Sequence, residues 1–184
     1  MFKEFYTLRE YAPITEMVLE KTPELPVDGF YLRMNEDGVL RAQYQNSRAK
    51  DYLKRTIRQL TKRGEFPVCY LKDYPSFPFR GVVEGFYGKP YTHEQRLELF
   101  TYLKEVRMNS YLYAPKDDLY HREKWRLPYS PEADERIKEL SDQAKRNRID
   151  FYYGISPGKD FNYADEADYK ILIEKLKKLR SLGV

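Results

Sequence analysis

Apolar and polar residues alternate along two short runs near residue 30, and further on the period lengthens. In FYLRM, Phe30, Leu32 and Met34 share one side; Asn-Glu-Asp-Gly follows, and VLRAQY returns with Leu40, Ala42 and Tyr44 in matching phase. Two period-2 runs joined by a turn that closes on a glycine predict a β-hairpin with Gly38 at its turn. After Asn46-Ser47, Ala49, Tyr52, Leu53, Thr56, Ile57 and Leu60 recur at helical spacing, which predicts an amphipathic helix packed on that hairpin and ended before Gly64. An apolar run at about 67–72 predicts another strand, and prolines at 75 and 78 predict a stiff extended connection. The first 26 residues, with prolines at 13, 23 and 26, support one expectation, a strand near ITEMVLE.

From residue 79 a different rhythm begins. Strand-like GVVEGF leads to a helix at about 92–107, opened by Thr92 with Gln95 three residues on, a capping-box signature. NSYLYAP predicts the next strand, and Ser130 and Pro131 open a helix with Ala133, Ile137, Leu140 and Ala144 on one face. IDFYYGIS predicts a third strand; the helix after it, at about 166–181, is expected to turn Tyr169, Leu172, Ile173, Leu176 and Leu179 inward, with Gly183 beyond its end. Strands starting near 82, 110 and 150, separated by helices long enough for parallel crossovers, make three β/α units. The fold class is therefore α/β, with a small α+β domain over 1–78 followed by the β/α units over 79–184. Periodicity leaves two architectures open for those units, a small open sheet or the front part of a barrel, since eight units take roughly 250 residues.

Composition narrows the function classes. Lys and Arg number 33 against 29 Asp and Glu, and the net charge of +4 is scattered along helices, so no nucleic-acid partner is expected. No apolar run approaches the roughly twenty residues needed to cross a bilayer, so no membrane span is expected. The opening MFKEFYTLREY lacks a basic region followed by an apolar stretch, which favours the cytoplasm. A single cysteine, Cys69, excludes an internal disulfide and reads as an inert core thiol. The 18 Tyr and 10 Phe against one Trp suit a carbohydrate or peptide surface, although tyrosine serves equally in half-buried packing.

In β/α proteins ligands gather at the carboxyl ends of the parallel strands. The loops there are EGFYGKPYTH, APKDDLYHREKWRLPYS and ISPGKDFNYAD, and the second is long enough to need a reason. His93 and His121 match no familiar ligand spacing, and His93, in a first helical turn, is expected to face solvent, so no metal is expected. Gly85 and Gly88 make no phosphate loop, because no Gly-Lys-Ser/Thr follows. Asp117 and Asp118 are adjacent and form a candidate catalytic pair, but an extended backbone would send them to opposite sides, one toward the site and one toward the scaffold; the favoured expectation is that they hold the loop by hydrogen bonds or pair with Lys116, Arg122 or Arg126.

RGVVEGFYGKPYTHEQR, then MNSYLYAPKDDLYHREKWR, then YYGISPG together resemble the start of the catalytic barrel of glycoside hydrolase family 84, the β-N-acetylglucosaminidases, over residues 70–184. The preceding hairpin, helix and DYPSFPFRG junction resemble that family's small N-terminal α/β domain, shared with the family 20 hexosaminidases. The resemblance implies the first three β/α units of an incomplete (β/α)8 TIM barrel and a retaining mechanism without cofactor. In that mechanism the sugar's own 2-acetamido oxygen attacks the anomeric carbon to form an oxazoline, an exception to the two-carboxylate scheme. It implies a substrate bearing N-acetylglucosamine, on a glycan or a glycoprotein. Gly85 matches the glycine whose main chain contacts the sugar, with Phe86 and Tyr87 on the pocket wall, and Lys116 matches a lysine that holds a sugar hydroxyl. Asp117 and Asp118 match residues of the motif outside the family's catalytic aspartate pair, which is expected just beyond Val184, so the chain alone is expected to be inactive. Pro90-Tyr91 departs from the family's Pro-Trp. The alternative, of another class, is a non-catalytic carbohydrate-binding or degenerate module, and the coding sequence downstream discriminates the two.

Overall fold

In the computed structural model, which describes residues 2–184, the chain divides between Pro78 and Phe79 into two compact units. The first holds β1 (Glu4–Pro13), β2 (Glu16–Lys21), β3 (Phe30–Met34), β4 (Val39–Tyr44), α1 (Ser47–Leu60) and β5 (Glu65–Asp73). Its sheet runs β1-β5-β3-β4-β2, antiparallel except for the parallel β2–β4 pair. The hairpin turns at Gly38, whose φ of 82° lies in the left-handed region that glycine enters without a Cβ penalty. Asn46 caps α1 by accepting from the Ala49 amide at 2.8 Å. The helix then lays Tyr52, Leu53 and Ile57 on Phe30, Leu32, Met34, Leu40 and Leu71. Cys69 lies in this core, where burial pushes its thiol up to about 11 and keeps it protonated at neutral pH.

The strand expected near ITEMVLE is β2, but β1 has no counterpart in the sequence reading. It is an edge strand whose register shifts between Thr7 and Tyr11, and Phe5, Tyr6, Leu8 and Tyr11 are exposed, so the alternation of a half-buried strand never develops. Helix α1 ends before Gly64 as expected: Thr61 is the C-cap, and Gly64 lies in the turn that leads into β5.

The second unit holds β6 (Gly81–Glu84), α2 (His93–Glu105), β7 (Ser110–Tyr113), α3 (Pro131–Arg146), β8 (Asp150–Tyr153) and α4 (Glu166–Ser181). The strands form a parallel sheet in the order β6-β7-β8. The Thr92–Gln95 capping box is made in both directions, and Ser130 caps α3 ahead of Pro131. One face of the sheet, carrying Val82, Tyr111 and Phe151, packs on Phe100 and Leu103 of α2 and Leu140 and Ala144 of α3. Tyr111 stands edge-on to Phe100 at 5.2 Å and is stacked on Phe151 at 5.9 Å. The opposite face, with Val83, Leu112 and Tyr152, has no helix on it, and Val83 is 62% exposed.

Helix α4 departs from expectation. Of the five residues expected inward only Leu179 is buried, while Tyr169, Ile173 and Leu176 are exposed. The buried stripe is Asp168, Lys175 and Leu179, because the long second loop presents carbonyls and a guanidinium that need polar partners more than it presents apolar surface. No helix among the described residues is long and apolar enough to cross a membrane.

Candidate functional site

The three loops that follow β6, β7 and β8 are each fixed from below by a buried polar group. In the first, Glu84 ends β6 with no solvent exposure. It accepts from Arg96 Nε and Nη2 at 2.8 and 2.7 Å, from the Tyr91 amide at 3.1 Å, and from the Tyr111 hydroxyl. Burial alone would lower the Arg96 pKa, but the hydrogen bond and charge of Glu84 override it and hold the guanidinium charged. Burial, and then Glu84, raise the Tyr111 pKa, so that phenol remains a donor.

The second loop owes its length to an internal framework. Asp118 caps a short 3-10 turn at 119–121 by accepting from the Tyr120 amide at 2.8 Å, and takes the hydroxyls of Tyr113 and Tyr129 at 2.9 and 2.5 Å. With Tyr129 donating to Asp118, Tyr153 donates to Tyr129 at 2.6 Å. Burial raises the pKa of all three phenols, which keeps them neutral donors. From α4, Lys175 donates to the carbonyls of Tyr120, Trp125 and Leu127 at 2.5, 3.0 and 2.9 Å, using every ammonium hydrogen on one loop. Burial depresses its pKa, opposed by the charge of Asp118.

The third loop is tied to the second. The Ser156 amide donates to the His121 carbonyl at 2.7 Å, and Trp125, fully buried, donates Nε1 to Asp160 at 3.1 Å. Arg126 grips Asp168 with two bonds of 2.7 and 2.6 Å and also donates to Asp160, so both carboxyls lie below their usual range. Asp118 thus holds the loop by hydrogen bonds, the first of its two expected roles, with tyrosine hydroxyls as donors, and Arg126 pairs with the third loop instead of with the aspartates of its own.

On this base sit the residues singled out from sequence. Gly85 has an ordinary φ, and a Cβ built on it would meet nothing nearer than Val83 Cγ1 at 3.4 Å. A Cβ there would make only ordinary contacts, with Val83 and the Ala114 carbonyl oxygen at 4.0 Å, so neither backbone nor packing requires a glycine, and what it leaves is bare main chain. Gly88 differs, with φ +105° and a turn that needs glycine. Phe86 packs edge-on to Tyr91 at 5.4 Å with 39% of its surface exposed, and Tyr87 is 81% exposed. Lys116 extends from the second loop to place Nζ 5.9 Å from the centre of the Tyr87 ring. Among the described residues no carboxylate pairs with Lys116, and the exposed Asp117 has no cationic partner.

His93 does not face solvent: it is half-buried, with Nε2 2.7 Å from Glu139. His121 is buried, its Nε2 donating to the Pro115 carbonyl at 2.7 Å. Among the described residues no three His, Cys, Asp or Glu side chains cluster as metal ligands do. Sequence reasoning missed Glu84, Lys175 and the tyrosines at 113, 129 and 153. A carboxylate closing the apolar run GVVE, and a lysine seven residues after Asp168 inside an apolar helix stripe, were the signals that could have found the first two.

The second unit is therefore a parallel β/α protein whose candidate site, at the carboxyl ends of its strands, combines bare main chain, exposed aromatic rings and the unpaired ammonium of Lys116. The family model described as beta-N-acetylglucosaminidase matches residues 80–184, and the chain belongs to that family, glycoside hydrolase family 84. Protein O-GlcNAcase of Rattus norvegicus is 46% identical over 103 residues, covering 56% of this chain and 11% of its own length. The structure of CpGH84B aligns with a TM-score of 0.84 at 29% identity, over 100% of this chain and 42% of that one. A mutant of Thermobaculum terrenum O-GlcNAc hydrolase aligns at 44% identity and a TM-score of 0.57, over 59% of this chain and 23% of that one. The chain thus spans about a tenth of the length of the curated relatives it matches.

Proposed function

We propose that residues 79–184 form the first three units of a (β/α)8 barrel and carry the sugar-binding half of a β-N-acetylglucosaminidase site, with residues 1–78 as the small accompanying domain. Supporting the barrel are the parallel sheet covered by helices on one face only and the apolar open face of Val83, Leu112 and Tyr152, where further strands would close an interior. Supporting the sugar site is one observation above the rest: Lys116 keeps an unpaired ammonium beside the exposed ring of Tyr87, two residues after the bare main chain of Gly85. In this reading Lys116 donates to a hydroxyl of the N-acetylglucosamine ring, Phe86 and Tyr87 shape the wall, and the Gly85 backbone approaches the sugar. The reaction is retaining and substrate-assisted. The 2-acetamido oxygen forms a bond to the anomeric carbon as the glycosidic bond breaks, and an acid protonates the departing oxygen. Water then opens the oxazoline after giving up a proton to the same group acting as base. In the family's scheme that group and the carboxylate orienting the acetamide form an aspartate pair distinct from Asp117 and Asp118. The substrate is a protein or glycan bearing terminal β-linked N-acetylglucosamine.

An assay with an aryl β-N-acetylglucosaminide tests this. The full-length gene product is expected to hydrolyse it with retention, and the 184-residue chain alone is expected not to. Turnover by the 184-residue chain that disappears in Asp117→Asn or Asp118→Asn would contradict the assignment.

A further inference from the structure

In the first unit one face of the sheet packs on α1 and the other is open, and on the open face the registers align in two rows across the strands. One row runs Glu4, Lys72, Tyr31, Gln43, Glu20. Its charges are answered internally: Lys72 donates to Glu4 at 3.0 Å and lies over the Tyr31 ring, and Gln43 donates to Glu20 at 3.2 Å. The next row runs Tyr6, Tyr70, Arg33, Arg41, Val18 and contains no acid. Arg33 and Arg41 are directly opposite in the β3–β4 ladder, both exposed, and among the described residues neither has a carboxylate partner. Like charges facing each other across a ladder weaken a sheet, so the fold itself gains nothing from the pair. Beside it the Tyr6 and Tyr70 rings stand 6.3 Å apart at 30°, and Val18, Tyr31, Gln43 and Tyr70 with the two arginines line a groove of about 270 Å³, with the Glu20 carboxylate, held by Gln43, at its margin.

We propose that this open face binds an acidic saccharide, with a carboxylate or sulfate held by the Arg33 and Arg41 forks and the adjoining sugar ring laid on Tyr70 and Tyr6. Guanidinium forks match both anions with paired hydrogen bonds, and a tyrosine ring offers an apolar face to a pyranose with a hydroxyl for its rim. The charge pattern argues against a nucleic acid. A phosphodiester strand carries a charge about every 3.4 Å, whereas here Glu4 and Glu20 bound the basic spot and leave room for one or two anions. An extended peptide would add along a sheet edge, and this groove lies over the face.

Isothermal titration of the 184-residue chain at low ionic strength decides the matter, with four probes: a heparin hexasaccharide, its desulfated counterpart, a neutral N-acetylglucosamine hexasaccharide and single-stranded oligouridine. Saturable binding of heparin alone assigns the anion as sulfate, and binding of both acidic probes shows that a carboxylate suffices. In either case affinity falls at least tenfold in Arg33→Gln/Arg41→Gln and is unchanged in Arg63→Gln, which lies in the turn after α1. The double variant's melting temperature does not fall, since a repulsive pair has been removed, which separates loss of ligand from loss of fold. The proposal is overturned if neither acidic probe binds, if the neutral probe or oligouridine binds more tightly than both, or if the double variant binds as the wild type does.

Discussion

His121 shows how one buried side chain carries a pH dependence for the whole second loop. Its Nε2 hydrogen is committed to the Pro115 carbonyl, its Nδ1 has no partner, and burial first of all holds its pKa below the ordinary 6.5. The folded state therefore binds fewer protons than the unfolded chain in the interval between the depressed folded value and 6.5. The neutral ring's contribution is complete above that interval and is lost as pH falls through it. Urea unfolding at pH 7 and pH 5 should show the wild type losing more stability than His121→Gln, which keeps a donor for Pro115 without titrating. Equal losses would contradict this. Glu84 makes a second case: truncation to alanine strands the Arg96 guanidinium, 12% exposed, and the Tyr111 hydroxyl. Loss of about 3–5 kcal/mol in chemical denaturation is the expected result.

Among the elements, the turn from α1 into β5 holds correctable strain. Arg63 and Gly64 both have positive φ, 51° and 85°, and Lys62 and Glu65 exchange both backbone hydrogen bonds, the geometry of a type I′ turn. Asparagine tolerates that conformation better than arginine, so Arg63→Asn should raise stability by about 0.5–1 kcal/mol, read as a higher melting temperature. Lys175 acts in the opposite sense, because Lys175→Met leaves three loop carbonyls without a donor. It should cost about 2–4 kcal/mol and alter the near-UV circular dichroism of Tyr120 and Tyr129, whose rings flank the ammonium at 5.8 and 5.1 Å. These cases mark what was legible beforehand. The hairpin, α1, β6 to β8 and their helices follow from local period and capping, as with Thr92 and Ser130, and periodicity is a short-range signal. The edge strand β1 lacks a buried face to impose a period, and the inward face of α4, though not its span, follows a partner 50 residues away in Trp125, so neither the strand nor that face could be read from its own stretch of chain. At the site, Gly85 and Lys116 were visible through motifs, whereas the Asp118–Tyr129–Tyr153 relay beneath them exists only once the loops have folded together.

At the scale of the molecule, the account rests on a division of labour in the second unit. Buried Glu84 and Lys175, with the partly buried Asp118 and Arg126, fix the three loops, and the few side chains left unpaired at the carboxyl ends are free for a ligand. The proposed barrel adds that the open sheet face is an interior, so the 184-residue chain should bind a hydrophobic dye there and Val83→Asp should reduce the signal. The central claim is that Lys116 holds the sugar, and steady-state kinetics of the full-length gene product on an aryl β-N-acetylglucosaminide test it most directly. Loss of a charge-assisted hydrogen bond predicts that Lys116→Ala lowers kcat/KM by roughly 10- to 100-fold, while Lys89→Ala, an exposed lysine in the neighbouring loop, leaves it unchanged. Wild-type kcat/KM in Lys116→Ala would contradict the account.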